Sequence, residues 1–161
     1  MKYFCGTLKG NAMFNRQIKR FNELDTKLLY QILKLRGEIF IMEQQSPYMD
    51  PDGLDEYAYH FIYTDQDQLA AYLRIVPKEH HEIQKISIGR VCVHKDFRGQ
   101  KLGRELMQQA LQFIDDTLKE AEIYIEAQSY LQEFYQSLGF QAVSEEFMLD
   151  NVPHIEMIRK V

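Results

Sequence analysis

Arg98, Gly99 and Gly103 stand close together in ISIGRVCVHKDFRGQKLGRELMQQAL (residues 86–111), where a run of branched residues gives way to one with helical spacing. The N-terminus of a helix presents unpaired backbone N–H groups and a partial positive charge, a pairing that suits a diphosphate. Arg98 adds a permanent cation just ahead of that turn, and Gly99 and Gly103 leave room for a ligand to approach the backbone. Gln100, Lys101 and Leu102 complete the turn. On spacing alone, glycines that merely lead the chain into a helix explain the segment equally well.

Other residue types here could move protons or hold charge. Tyr135, in AQSYLQEFYQSLGF (residues 127–140), carries a phenol whose ordinary pKa of about 10 keeps it a donor at neutral pH. Its plainer reading is a core aromatic with a satisfied hydroxyl. Glu126, at the end of a strand, and Glu43, His60 and His154 are of types that could accept a proton. Each also has an ordinary role, as a solvated carboxylate or a partly buried histidine. The segment EQQSPYMDPDGLDE (residues 43–56) gathers Glu43, Asp50, Asp52, Asp55 and Glu56, which would draw a protonated amine, although DPDG also spells a turn. Arg36, Arg74 and Arg90 could neutralise these carboxylates or hold an acid group on a substrate. Cys92, between two valines, reads as packing rather than as an acyl carrier.

These groups need a frame. A strand is expected near Met13–Phe21, and Asp25 is placed to cap a helix whose apolar positions run from Leu28 to Phe40. Residues 43–56 read as a loop. Aromatic and branched runs at Tyr57–Tyr63 and Leu69–Val76 flank the polar turn TDQDQ as a hairpin, and a third strand covers about Ile83–Val93. Leu102, Leu106, Met107, Ala110, Leu111, Ile114 and Leu118 mark one face of a long helix. After a short strand at Ile123–Ala127, Ser129 and Gln132 have capping-box spacing for a helix that stops at Gly139. Strands near Gln141–Met148 and Ile155–Lys160 finish the chain. The strands that flank the long helix should be parallel neighbours with a right-handed crossover.

Composition narrows the function classes. The chain has 161 residues, 45% of them hydrophobic and 27% charged, enough for one core without staples. Residues 13–161 are expected to form one domain, with 1–12 as an N-terminal extension. Lys and Arg total 19 against 24 Asp and Glu, and the basic residues form no stripe, which argues against nucleic acid as a partner. No stretch has the length of a membrane span or a signal peptide. Cys5 and Cys92 offer neither a disulfide framework nor metal-ligand spacing, so a cytoplasmic protein without a metal is expected.

The 86–111 segment resembles motif A of the GNAT acetyltransferases, written R/Q-x-x-G-x-G/A, whose backbone amides grip the pyrophosphate of acetyl-CoA. Arg98 and Gly103 match it, whereas Lys101 stands where the central glycine is usual. Residues 127–140 resemble motif B. There Gln128 takes the place of an Asn that contacts the pantetheine, and Tyr135 that of the tyrosine near the sulfur. With LRGEIFIMEQQSPYMDPDGLDEYAYH, IGRVCV and VPHIEM, the likeness extends to the ElaA-like subfamily over most of residues 28–161; Ser46 replaces a usual cysteine and LDNVPH a usual EDGIPH.

The resemblance implies an α/β (α+β) GNAT fold, a mixed and mostly antiparallel sheet with a central splayed pair of parallel strands, flanked by helices. It implies a backbone amide within Val91, Cys92 and Val93 that faces the thioester, with Tyr135 as general acid. It also places residues 43–56 beside the acceptor cleft, where Arg36, Glu43, His60, Arg74, Arg90 and His154 are the candidate acceptor contacts and Glu126 is the favoured base, with Glu43, His60 and His154 as alternatives. The expected activity is direct acetyl transfer to a small amine in a ternary complex, with a homodimer as the candidate assembly. An acyl-CoA-binding sensor and a protein-interaction module are the competing classes.

Overall fold

Asp25 caps the first helix as its position predicts, its Oδ1 accepting the Leu28 N–H at 2.8 Å. Helix α1 (Thr26–Arg36) then widens into a π turn over Gly37–Glu43, which carries the chain past the expected end at Phe40. This is a computed structural model, and it describes residues 14–160. The expected extension at 1–12 and the proposed strand start at Met13 lie outside the described residues.

Strands β1 (Asn15–Arg20), β2 (Tyr59–Asp65), β3 (Gln68–Val76), β4 (Ile86–Val93) and β5 (Glu122–Gln128) form one sheet with β6 (Gln141–Ala142), β7 (Phe147–Leu149) and β8 (Val152–Lys160). The order is β1-β2-β3-β4-β5-β8-β6, with β7 also paired to β8. Every pairing is antiparallel except β4 with β5, the two strands that flank helix α2 (Leu102–Phe113).

Alternation along the strands assigns the two faces of the sheet. Phe61, Leu73 and Ile75 pack with Leu102, Leu106 and Met107 of α2, while their neighbours Ile62 and Tyr72 pack with Ile32 and Leu35 of α1. The sheet is thereby held between two helical layers.

Several boundaries shift for local reasons. The third strand starts at Ile86 rather than Ile83, because the Gln84 N–H closes a turn onto the His81 carbonyl. The strand expected over Gln141–Met148 is two short pieces, since the Ser144 hydroxyl takes the Glu156 N–H and interrupts the ladder. The Ser129–Gln132 capping box does not form. A 3₁₀ turn (Ser129–Leu131) leads into α3 (Gln132–Gln136), and the Ser129 hydroxyl is buried with no partner. Gly139 ends that helix as expected, at φ +93°.

Candidate active site

The parallel strands β4 and β5 pair at Ile86 with Ile123 and at Ser87 with Tyr124, and then separate. A cavity of about 970 Å³ opens where they part, walled by both strands and by the segment after α1. On the other side of β4, Tyr72 pairs with Cys92 and Arg74 with Gly89, so two β4 residues, Arg90 and Val91, oppose the single residue Leu73. This is a β-bulge, which leaves an extra residue outside the ladder. Arg90 sits in it at φ +56°.

A second hollow of about 360 Å³ lies against the start of α2, lined by Gly99, Lys101, Leu102 and Gly103, and shares Val93 and Arg98 with the larger cavity. Gly99 has φ +78° and Lys101 φ +61°, so the turn uses left-handed backbone at both positions. That explains why a glycine is usual where Lys101 stands: only glycine adopts this conformation without steric cost. A Cβ on Gly103, which lines the hollow, would meet Val93 Cγ2 at 3.7 Å. Glycine backbone, a helix N-terminus and the cations of Arg98, Lys101 and Arg104 fit a diphosphate. Gln100 is exposed and lines neither hollow. The Arg98 side chain meanwhile holds both carboxylate oxygens of Glu43, at 2.9 and 3.1 Å, and the Val93 carbonyl at 3.1 Å.

Three arginines organise the acidic loop from within. Arg36, wholly buried, donates to Asp50 Oδ2 at 2.9 Å and Asp55 Oδ1 at 2.7 Å. Arg74 forks onto Asp52 and reaches Asp55 Oδ1 at 2.7 Å, and Arg90 donates to Asp50 Oδ1 at 2.8 Å. Burial alone would raise the Asp52 pKa, but the Arg74 hydrogen bonds and charge outweigh it and bring the carboxyl down to about 2. The loop's aspartates are therefore matched within the protein. Arg74 and Arg90 still line the cavity, as does His154, whose Nδ1 lies 2.8 Å from the Val152 carbonyl. Arg36 and His60, expected as acceptor contacts, do not line it. His60 is 1% exposed, held between the Tyr72 hydroxyl at 2.7 Å and the Asp55 carbonyl at 2.9 Å. Its pKa is lowered, chiefly by burial, so it stays neutral.

Glu126, Gln128, Tyr135 and Cys92 all reach the cavity wall. The Cys92 thiol is pushed up to about 12 by burial, which leaves no thiolate for acyl transfer and supports its reading as packing. Tyr135 is 7% exposed, its ring edge-on to Phe134 and Phe140, and burial raises its pKa well above the ordinary tyrosine value. Gln128 makes a reciprocal amide pair with Gln44, at 2.8 and 3.2 Å, across the cavity mouth.

Tyr124 and His81 also line the cavity, and neither was singled out from the sequence. Tyr124 lies two residues before Glu126 and four before Gln128, a strand alternation that could have found it. Its hydroxyl lies 2.9 Å from Glu156 Oε1 and 3.2 Å from Glu126 Oε1. His81, its ring centroid 5.5 Å from that of Tyr124, has a lowered pKa because burial outweighs the pull of Glu126. No spacing rule reaches His81, which comes from the turn before β4.

The family model for the acetyltransferase (GNAT) domain matches residues 36–161. The chain is 38% identical over 151 residues to protein ElaA of Escherichia coli K12, covering 92% of this chain and 98% of that one. Among solved structures, an acyl-CoA N-acyltransferase from Pseudomonas aeruginosa superposes with a TM-score of 0.84 at 39% identity, over 91% of this chain and 99% of that one. The crystal structure of Escherichia coli ElaA gives 0.82 at 37% identity, over 92% and 100%. With the mixed sheet, its one parallel pair and the opening between those strands, these likenesses establish that the chain belongs to the GNAT acetyltransferase family and is an acyl-CoA-dependent acyltransferase.

Proposed function

We propose that the protein transfers the acetyl group of acetyl-CoA directly to a small amine, both substrates being bound at once where β4 and β5 separate. The observation that carries this reading is the meeting of two hollows at Val93 and Arg98, one suited to phosphates and the other containing Tyr135 and Glu126. The amides at the start of α2, with Arg98 and Lys101, hold the diphosphate, and Gln128 meets the pantetheine once its pair with Gln44 opens. The thioester supplies the activated acetyl group. A backbone amide of β4 at or just after the bulge, within Val91–Val93, polarises its carbonyl. Tyr135, protonated well above neutral pH, gives its proton to the departing thiolate.

Glu126 takes the proton of the amine, directly or through water. Tyr124 has one phenolic proton, and its shorter contact is with Glu156, so the Glu126 oxygens stay available as acceptors. His60 lies behind the wall and Glu43 is paired with Arg98, which favours Glu126 over both. Because Asp50, Asp52 and Asp55 are matched by arginines, attraction for a protonated amine rests on the other carboxylates of the cavity wall, Glu126 among them. The expected compartment remains the cytoplasm, on the sequence grounds above, and no described helix is long and apolar enough to cross a membrane.

The test combines calorimetry with a turnover screen. Acetyl-CoA is expected to bind and to raise the melting temperature by selective binding to the native state. A panel of small amines should include acceptors that release free thiol and gain an acetyl group by mass spectrometry. No binding at millimolar CoA, or turnover confined to lysine-rich peptides, would overturn the reading.

A further inference from the structure

Arg90 adopts a left-handed backbone at φ +56° in the β4 bulge, although Gly89, which would adopt it freely, is its immediate neighbour. A long β-branch-free side chain gains nothing from that conformation, so something must hold it there. The guanidinium is held on three sides. Its Nε donates to Asp50 Oδ1 at 2.8 Å, and its Nη2 donates to the Asp50 carbonyl at 3.0 Å and to Asp52 Oδ2 at 3.3 Å. The Tyr48 ring lies 5.7 Å from the guanidinium carbon. Asp50 is itself immobilised. It is 3% exposed, its other oxygen takes Arg36 Nε at 2.9 Å, and its carbonyl also accepts from Arg36 Nη2 at 3.2 Å. A rigid chain of contacts thus runs from α1 through Asp50 to the one place where β4 leaves its ladder with β3.

We infer that Asp50 and Arg90 are positioning residues for acyl transfer, a clamp that fixes the β4 bulge so that its backbone amides face the cavity. The inference rests on the functional reading above, in which those amides polarise the thioester carbonyl. It assigns Arg90 a role other than gripping an acid group on the acceptor, the alternative that its place on the cavity wall suggests. Both its Nε and its Nη2 are already committed to the loop. An oxyanion donor is useful only if it is held in place before the reaction, and a displacement of about 1 Å is enough to cost about 10²-fold in rate. The bulged part of β4 has no ladder on its β5 side, where pairing has ended at Ser87 and Tyr124.

The experiment reads the carbonyl itself, by difference infrared spectroscopy of acetyl-CoA labelled with ¹³C at the thioester carbon and bound to the protein. In the wild type the bound carbonyl stretch should fall below that of free acetyl-CoA. Arg90→Lys keeps the charge but loses the fork. It should bind acetyl-CoA within about threefold of wild type by calorimetry, return the stretch toward its free value and lower kcat by about 10- to 100-fold. Arg90→Gly relieves the backbone and removes the clamp together, so it serves as a second variant free of strain and should show the same spectral loss. An unchanged stretch in both variants, or no displacement in the wild type, would overturn the inference. So would an intact stretch with a raised KM restricted to acid-bearing amines, which would make Arg90 a substrate contact. Failure of the wild type to bind acetyl-CoA at all would overturn the functional reading first, and the clamp with it.

Discussion

Tyr135 shows how much a single residue can be asked to do and how its role can be isolated. Removing its hydroxyl leaves the ring contacts with Phe134 and Phe140 in place, so Tyr135→Phe should fold normally and retain CoA affinity. Loss of a general acid typically costs about 10²-fold or more in turnover. Stopped-flow measurement of thiol release checks this, and an unchanged chemical step in the variant would remove Tyr135 from the mechanism. At this scale the sequence was informative about which residues stand at the cavity. Tyr135, Glu126 and Gln128, proposed from local pattern and resemblance, all line it. Arg36 and His60 were misplaced because burial and partner choice are decided by distant segments. Arg36 meets aspartates 14 and 19 residues away, a pairing no local spacing reveals. His81 was missed for the same reason.

Elements were legible where periodicity is sustained, as in α1, α2 and the β2–β3 hairpin, and illegible where a hydrogen bond from a side chain overrides it. The Ser144 hydroxyl splitting the strand after α3 is one case. The π turn at Gly37–Glu43 was illegible for a different reason, since a helix that widens keeps nearly the same apolar pattern. The start of α2 is where element and site meet. Gly103 is the second residue of that helix, and a Cβ there makes only an ordinary contact, 3.7 Å from Val93 Cγ2. Gly103→Ala should therefore stabilise the protein by up to about 1 kcal/mol through helix propensity, or up to about 2–4 °C in Tm for a chain of this length. Gly103 also lines the hollow, so the same methyl group should weaken CoA binding by about 10-fold, roughly 1.4 kcal/mol. A thermal scan and a calorimetric titration of one variant thus move in opposite directions. A variant that gains stability and keeps full affinity would show that the hollow does not hold the diphosphate.

Over the whole molecule, 24 acidic and 19 basic residues give a net charge of −5, an unfavourable background for a ligand as anionic as CoA. Local charge must reverse it. Between Lys95 and Arg104 the chain carries Lys95, Arg98, Lys101 and Arg104 against Asp96, and three of these cations line the hollow at α2. Arg98 is partly neutralised by Glu43, and Arg104 leans on the Phe134 ring at 5.1 Å and bonds Ser137 Oγ at 2.9 Å. Lys101 is exposed and forced by its left-handed backbone to the head of the turn, which makes it the cation whose attraction is most open to screening. The Debye length shortens from about 10 Å at 0.1 M salt to about 3 Å at 1 M, and an exposed ion pair in water contributes about 1 kcal/mol at 4 Å. CoA affinity should accordingly weaken by about fivefold as NaCl rises from about 0.05 to about 0.5 M. Lys101→Gln should begin weaker at low salt and lose part of that dependence, while the two proteins converge at high salt. Calorimetric titrations of both proteins across the salt series measure the two slopes. Equal slopes would show that Lys101 does not face the phosphates, and that its strained backbone serves only to turn β4 into α2.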